Sequence, residues 1–102
     1  MDPERISDIS ISDVVVSIAG RDQDTLFYVI GEEAQFLLLA NGKDRPLDRP
    51  KRKKRKHVQR VLRSETRVAN KLIAGDKVLN SELRRDLAYL SREMQSNDLG
   101  GF

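Results

Sequence analysis

The sequence has no cysteine and no tryptophan, and its apolar runs, such as residues 36–40, are at most five residues long. Without cysteine, disulfides and thiolate metal sites are excluded, and a reducing cytoplasm is the natural setting. Residues 1–4 begin acidic and lead into no apolar stretch, so we expect no signal peptide. The apolar runs are far shorter than the roughly 20 residues that span a bilayer. We therefore expect a cytoplasmic protein with no membrane partner.

Residue types that carry catalysis are also scarce. His57 is the only histidine, and the paired acids at 22/24 and 32–33 fall in turn-like stretches where solvated carboxylates are common. The sequence has no dinucleotide-binding glycine pattern, P-loop or nucleophile elbow, and no spacing typical of a calcium loop. We expect a protein that is not an enzyme, with no cofactor, no metal and no small-molecule substrate.

The positive charge is concentrated in one place. Lys and Arg number 19 against 16 Asp and Glu, a net charge of +3. Residues 49–60, called the basic segment below, contain no acid but eight cations: Arg49, Lys51, Arg52, Lys53, Lys54, Arg55, Lys56 and Arg60. The rest of the chain contains the other 11 basic residues and all 16 acidic ones, so its net charge is negative. A chain of this kind presents one face to a polyanion.

Residues 9–48 have the pattern of short β-strands. Apolar and β-branched residues alternate over 9–18, and similar types return at 25–30 and 35–40. Glycine-containing breaks at 20–24 and 31–33 separate these stretches. Asn41-Gly42 is the strongest short hairpin signal and predicts a type I′ turn. Short strands joined by tight turns favour a small barrel or sandwich.

Residues 64–95 have a helical pattern instead. Val68, Leu72 and Ile73 fall on one helical face, and Gly75 suits a helix end. Asn80 or Ser81 can cap a second helix, with Glu82 in its first turn. One apolar stripe follows at spacings of four, three and four: Leu83, Leu87, Leu90 and Met94. This stripe must pack on the barrel, on the first helix or on a partner.

Two features allow both a functional and a purely structural interpretation. The basic segment is either a solvated loop or localisation-type peptide, or a set of residues that contact phosphates. Phosphate contacts give affinity and orientation but do not select a nucleotide sequence. The beta-barrel pattern beside it favours nucleic acid. The aromatics Phe27, Tyr28 and Phe36 either stack on bases or fill the core. Since Phe27 and Tyr28 point to opposite faces of a strand, one of them could face outward.

Three parts of the sequence resemble a known family when taken in order. Residues 12–22, SDVVVSIAGRD, look like a KOW motif; residues 38–42 precede the basic segment; and residues 71–84 lead into Leu87. Together they resemble the small bacterial KOW-domain RNA-binding proteins, which are similar to a group of archaeal and eukaryotic large-subunit ribosomal proteins. The resemblance implies a small SH3-like barrel in which Gly20 lets the backbone approach RNA and Arg21 projects beside it.

Two positions depart from the motif. Ser12 stands where the motif usually has glycine, and Asp24 where a second glycine is common. An acid in a loop that faces RNA shifts the expected contacts toward residues 51–56. The predicted RNA-binding residues are those of the loop and the basic segment: Gly20, Arg21, Arg49, Lys51, Arg52, Lys53, Lys54, Arg55, Lys56, His57 and Arg60.

These observations predict a mainly β chain, an SH3-like barrel followed by one or two C-terminal α-helices. The expected organisation is an N-terminal arm at 1–8, the barrel at 9–62 with the basic segment inside it, a helical extension at 63–95 and a flexible tail at 96–102. The expected function is binding of RNA, ribosomal RNA above all, with large-subunit ribosomal proteins as neighbours. Two alternatives remain open: an interaction module of the transcription machinery, or a structural component of a ribonucleoprotein assembly.

Overall fold

The computed structural model of the protein describes residues 8–20 and 25–100, with the side chains of 96–100 left out. Arg21 therefore lies outside the described residues, as do all of the predicted N-terminal arm except Asp8 and the last two residues of the predicted tail. Within the described ranges, no helix is both long and apolar enough to cross a membrane.

Five antiparallel strands and two helices make up the described chain. The strands are β1 (Asp13–Ser17), β2 (Leu26–Glu33), β3 (Phe36–Ala40), β4 (Lys51–Lys54) and β5 (Val58–Arg63), and a short 3₁₀ helix, Arg55–His57, connects β4 to β5. The helices are α1 (Arg67–Ala74) and α2 (Asn80–Gly100). A β-rich domain with C-terminal helices is thus confirmed, but "mainly β" is wrong, because the helices hold about as many residues as the strands. Helix α2 also extends past residue 95, where the helical segment was predicted to end.

The sheet is strongly bent. Its strand order is β4-β3-β2-β1-β5, so β4 and β5 lie at opposite edges. In a flat sheet those edges would stand roughly 19 Å apart, whereas three residues of 3₁₀ helix advance only about 6 Å. The edges must therefore curl toward each other, helped by irregular register between Val14 and Val15 and between Val29 and Gly31. Among the described residues no hydrogen-bonded pairing joins β4 to β5, so the sheet is not closed.

The turns differ from those that the sequence predicts. Residues 31–33 do not break the strand: β2 continues to Glu33, and Gly31 pairs with Leu38, whose Cδ1 would lie 2.9 Å from a Cβ at position 31. The tight turn between β2 and β3 falls instead at Ala34, which has a φ of +56°. Asn41 begins a longer β3–β4 connection, and its Oδ1 accepts hydrogen bonds from the backbone of Lys43 and Arg45 at 3.0 Å each. β3 and β4 do pair as an antiparallel hairpin, but the predicted type I′ turn at Asn41-Gly42 is wrong, because the Asn41 side chain organises a wider loop.

Both faces of the sheet are buried. Alternate residues of β1 and β2 belong to two apolar clusters, as the two-residue period of a strand requires. Val14, Tyr28 and Ala40 pack with the helical residues Val68, Ala69, Leu83, Leu87 and Leu90. On the other face lie Ile9, Val15, Phe27, Val29, Leu37, Leu39 and Val58. Phe27 and Tyr28 are both fully buried, because helices cover the face that could have been open.

The helices begin and end through local hydrogen bonds. Thr66 caps α1 by accepting from the Ala69 N–H, and Gly75 ends it in the left-handed region, as predicted. Neither Asn80 nor Ser81 caps α2. The carbonyl of Leu79 accepts from the Leu83 N–H, and the Glu82 carboxylate accepts from the Leu79 N–H at 2.9 Å, the reciprocal half of a capping box.

The apolar stripe of α2 packs within its own chain. Leu83, Leu87 and Leu90 are buried against β1, β2 and β3. On α1, Ala69 is buried in place of Ile73, which is 64% exposed. Met94, the last member of the predicted stripe, is half-buried and belongs to neither apolar cluster. The three leucines are therefore not free to dock a partner.

Candidate RNA interface

The basic segment forms an edge strand and the turn that follows it. In β4, Lys51 and Lys53 pair with Leu39 and Leu37 and share their face of the sheet, while Arg52 and Lys54 lie on the opposite face. Cations thus project from both sides of one sheet edge. Natural edge strands often carry charges of this kind, which also prevent pairing with other strands.

The glycine loop and the basic strand meet. The ammonium of Lys53 donates a hydrogen bond to the carbonyl of Ala19 at 2.9 Å. Gly20, next to Ala19, is exposed with a φ of +85°, and a Cβ there would lie 3.4 Å from the same ammonium. Two parts of the sequence that were predicted separately therefore form one surface.

Arg52 lies over an aromatic ring. Its guanidinium carbon is 3.6 Å from the centroid of Phe36, and its Nε is 2.9 Å from a carboxylate oxygen of Glu33. Both charged side chains remain about half exposed, so a phosphate could compete with Glu33 for this arginine. Phe36 is covered by Arg52 and is not an open platform for a base.

Arg55 has a different role from the one predicted for it. Its side chain is only 8% exposed. The guanidinium donates to the carbonyls of Ile9 at 2.7 Å and Ala34 at 2.8 Å, and to the Glu32 carboxylate at 2.9 Å. It joins the segment before β1 to the β2–β3 turn, and we leave it out of the proposed RNA contacts.

The other predicted residues differ in exposure. Lys54, Lys56 and Arg49 are exposed, and His57 is half-buried. Arg60 is 30% exposed and lies 3.2 Å from Asp8 and 3.7 Å from the buried Asp13. Within the described ranges, no carboxylate lies within ion-pair distance of Lys54 or Lys56. Two exposed cations with no carboxylate partner, Lys54 and Lys56, therefore lie together where β4 passes into the 3₁₀ helix.

A second group of arginines was not predicted from the sequence. Arg85, Tyr89 and Arg92 are spaced four and three residues apart on α2 and line one groove. This spacing is visible in the sequence, but the leucine stripe on the same helix is the stronger pattern, and it predicts only packing. Beneath the groove, Asp86 accepts hydrogen bonds from the hydroxyls of Tyr28 and Thr66.

Comparison with known proteins identifies no family. The sequence matches none of the family models, and no curated protein matches it. A function for this chain therefore has to be inferred from the geometry of its own residues.

Proposed function

We propose that the protein binds structured RNA by its phosphates, through the lysines of β4 and the 3₁₀ helix together with the Gly20 loop. The observation that carries this proposal is the contact between Lys53 and Ala19, which brings the loop and the basic strand together. Lys54 and Lys56, which are exposed and have no carboxylate within ion-pair distance among the described residues, gain most from a polyanion, because phosphate binding releases counterions from the RNA.

The backbone of residue 12 supports the resemblance to KOW-domain proteins. Ser12 has a φ of +77°, the conformation that glycine adopts most easily, at the position where the motif usually has glycine. A bent sheet whose edge strands are joined by three residues is compatible with a partly open SH3-like barrel. We accordingly retain the KOW type of barrel, ribosomal RNA as the ligand, and a cytoplasmic, non-enzymatic role as parts of the proposal.

The transcription-module alternative receives less support. It relied on an apolar helical stripe that could dock a partner, and Leu83, Leu87 and Leu90 are buried in the chain's own core. Co-sedimentation with large ribosomal subunits that is lost at high salt would favour the RNA proposal. Co-purification with RNA polymerase that resists RNase would favour the alternative.

The salt dependence of binding tests the proposal directly. If about five phosphates are neutralised, log K should fall against log salt with a slope of magnitude roughly 3.5 to 4.5, measured by anisotropy with labelled fragments of large-subunit RNA. Lys56→Ala should reduce that magnitude by about 0.7 to 0.9. Lys77→Ala removes one charge from an exposed residue between the helices and serves as the matched control. A flat salt titration, or equal effects of the two variants, would contradict the proposal.

A further inference from the structure

A groove lies on the helical side of the molecule, and all of its lining residues follow the basic segment in the sequence. It has a volume of about 330 Å³ and is lined by Val68, Glu82, Arg85, Asp86, Tyr89 and Arg92. This volume is at the lower end of the range for small-ligand sites. It suits one small planar group rather than a protein segment.

The acids of the groove already have partners. The Glu82 carboxylate accepts from the Leu79 N–H at 2.9 Å and from the Lys71 ammonium at 2.9 Å, and these bonds hold the pKa of Glu82 below its ordinary value. One oxygen of Asp86, Oδ2, accepts from the hydroxyls of Tyr28 and Thr66. The other, Oδ1, accepts no hydrogen bond from the described residues. It can receive an N–H from a ligand.

The arginines of the groove have no such partners. In the part of the chain whose side chains are described, no carboxylate lies within ion-pair distance of Arg85 or Arg92. Both side chains are exposed and flank Tyr89 on the same helical face. Two unpaired guanidiniums beside a ring are well placed for a phosphate.

Tyr89 is 47% exposed, the most exposed aromatic side chain among the described residues. Phe27 and Tyr28 are fully buried, and Phe36 lies beneath Arg52. Tyr89 belongs to neither apolar cluster. Its ring is therefore available to stack on a flat ligand.

We propose that this groove binds one unpaired nucleotide of the RNA. The base stacks on Tyr89, its N–H groups face Asp86, and the phosphate lies between Arg85 and Arg92. A base inside a duplex exposes no face for such stacking, so the ligand must carry a loop, bulge or single-stranded end. This inference rests on the proposed RNA binding and adds a requirement for an unpaired nucleotide.

One RNA is long enough to extend between the two surfaces. The described protein measures 35 × 35 × 27 Å. A stem of the length that a small double-stranded-RNA domain covers, about 16 base pairs, spans that distance. Phosphates of the stem would then contact β4, while a nucleotide that leaves the stem occupies the groove.

Two labelled RNAs of the same stem sequence test the inference, one with an unpaired loop and the other fully paired. The full-length protein should bind the loop RNA more tightly. Tyr89→Ala should weaken loop binding by about 5- to 150-fold, the range for loss of one stacked base, and leave duplex binding unchanged. Tyr89→Phe should bind like wild type, since the ring suffices. Ile73→Ala removes another exposed apolar side chain, 64% exposed, and is the control.

Two further variants separate stacking from charge. Tyr89→Trp introduces the chain's first tryptophan, whose fluorescence the loop RNA should quench and the duplex should not. Arg85→Ala/Arg92→Ala should lower the magnitude of the salt slope for loop RNA by about one, whereas Tyr89→Ala should leave that slope unchanged. Salt-dependent binding of both RNAs with equal affinity, unaffected by Tyr89→Ala, would overturn the groove assignment and leave the β4 interface standing. If neither RNA binds, both proposals fail.

Discussion

Tyr28, in the middle strand of the sheet, donates its phenolic hydrogen bond to Asp86 of helix α2. Ser64 lies 2.8 Å from the same phenol oxygen, and Thr66 donates to Asp86 at 2.8 Å while it caps α1. Four side chains thus join the sheet to both helices in a largely buried polar network. Such networks depend on every member being satisfied.

Tyr28→Phe should destabilise the fold by about 1 to 3 kcal/mol. The substitution preserves the ring and its packing but removes the donor to Asp86, whose carboxylate then keeps only Thr66. Urea unfolding at neutral pH measures the loss. Tyr89→Phe removes the hydroxyl of a tyrosine that is 47% exposed and should have almost no effect. Equal stabilities for the two variants would mean that the Tyr28 hydroxyl contributes nothing to stability.

The same hydroxyl should make stability depend on alkaline pH. Burial, and then the hydrogen bond to Asp86, raise the pKa of Tyr28 from 10.0 to about 12. Because the folded state favours the neutral phenol, this contribution is complete below about pH 10 and is lost as the pH rises toward 12. The free energy of unfolding should therefore fall more steeply above pH 10 for wild type than for Tyr28→Phe. Parallel curves would contradict the assignment.

Substitutions of the adjacent cations Arg55 and Lys56 should have different effects: the first on stability, the second on RNA binding. Arg55→Lys keeps the charge but cannot replace the bonds to Ile9, Ala34 and Glu32, so we expect a loss of about 2 to 4 kcal/mol in stability. Lys56→Ala should leave stability within about 0.5 kcal/mol, although it weakens RNA binding. Melting curves and salt titrations on both variants check this. A stable Arg55→Lys protein would show that the buried guanidinium is dispensable.

Two glycines with almost the same backbone angle should differ in their tolerance of alanine. Gly42 and Gly75 have φ values of +76° and +77°, but a Cβ at Gly42 would collide with the Asn80 carbonyl oxygen, whereas nothing lies within 4 Å at Gly75. Gly75→Ala should cost about 1 to 2 kcal/mol from the left-handed backbone alone. Gly42→Ala should cost clearly more, because the β3–β4 connection must move away from α2. Similar melting temperatures for the two variants would contradict the close contact.

The sequence predicted those elements whose signal is local. The strand core of β1 and β2, the end of α1 at Gly75 and the leucine stripe of α2 each depend on periodicity or on one special residue. The stripe's location was not predictable, since the same pattern serves a partner or the chain's own sheet. Only the tertiary fold shows that Leu87 packs beside Tyr28.

Other features depended on individual side-chain contacts that no periodic pattern reveals. The two-residue turn predicted at Asn41-Gly42 does not form, because the Asn41 side chain binds the backbone of the loop. Arg55 is buried rather than exposed, because three acceptors distant in the sequence surround its guanidinium. Charge density predicted a basic surface but not which cations would be used inside the fold. The pairing of loop and strand through Lys53 and Ala19 joins residues that no local pattern connects.

The position of β5 has a consequence for how the chain folds. One neighbour of β1 in the sheet is β5, the last of the five described strands, and β2, β3 and β4 all lie between them in the sequence. Pairings between such distant segments carry a large loop-closure cost and form slowly. The strands β1 to β4, each paired with the next one in the sequence, can assemble first, and β5 then completes the bent sheet. Until that step, β1 has an open edge, and the nascent chain is most exposed to misassociation before its helices emerge.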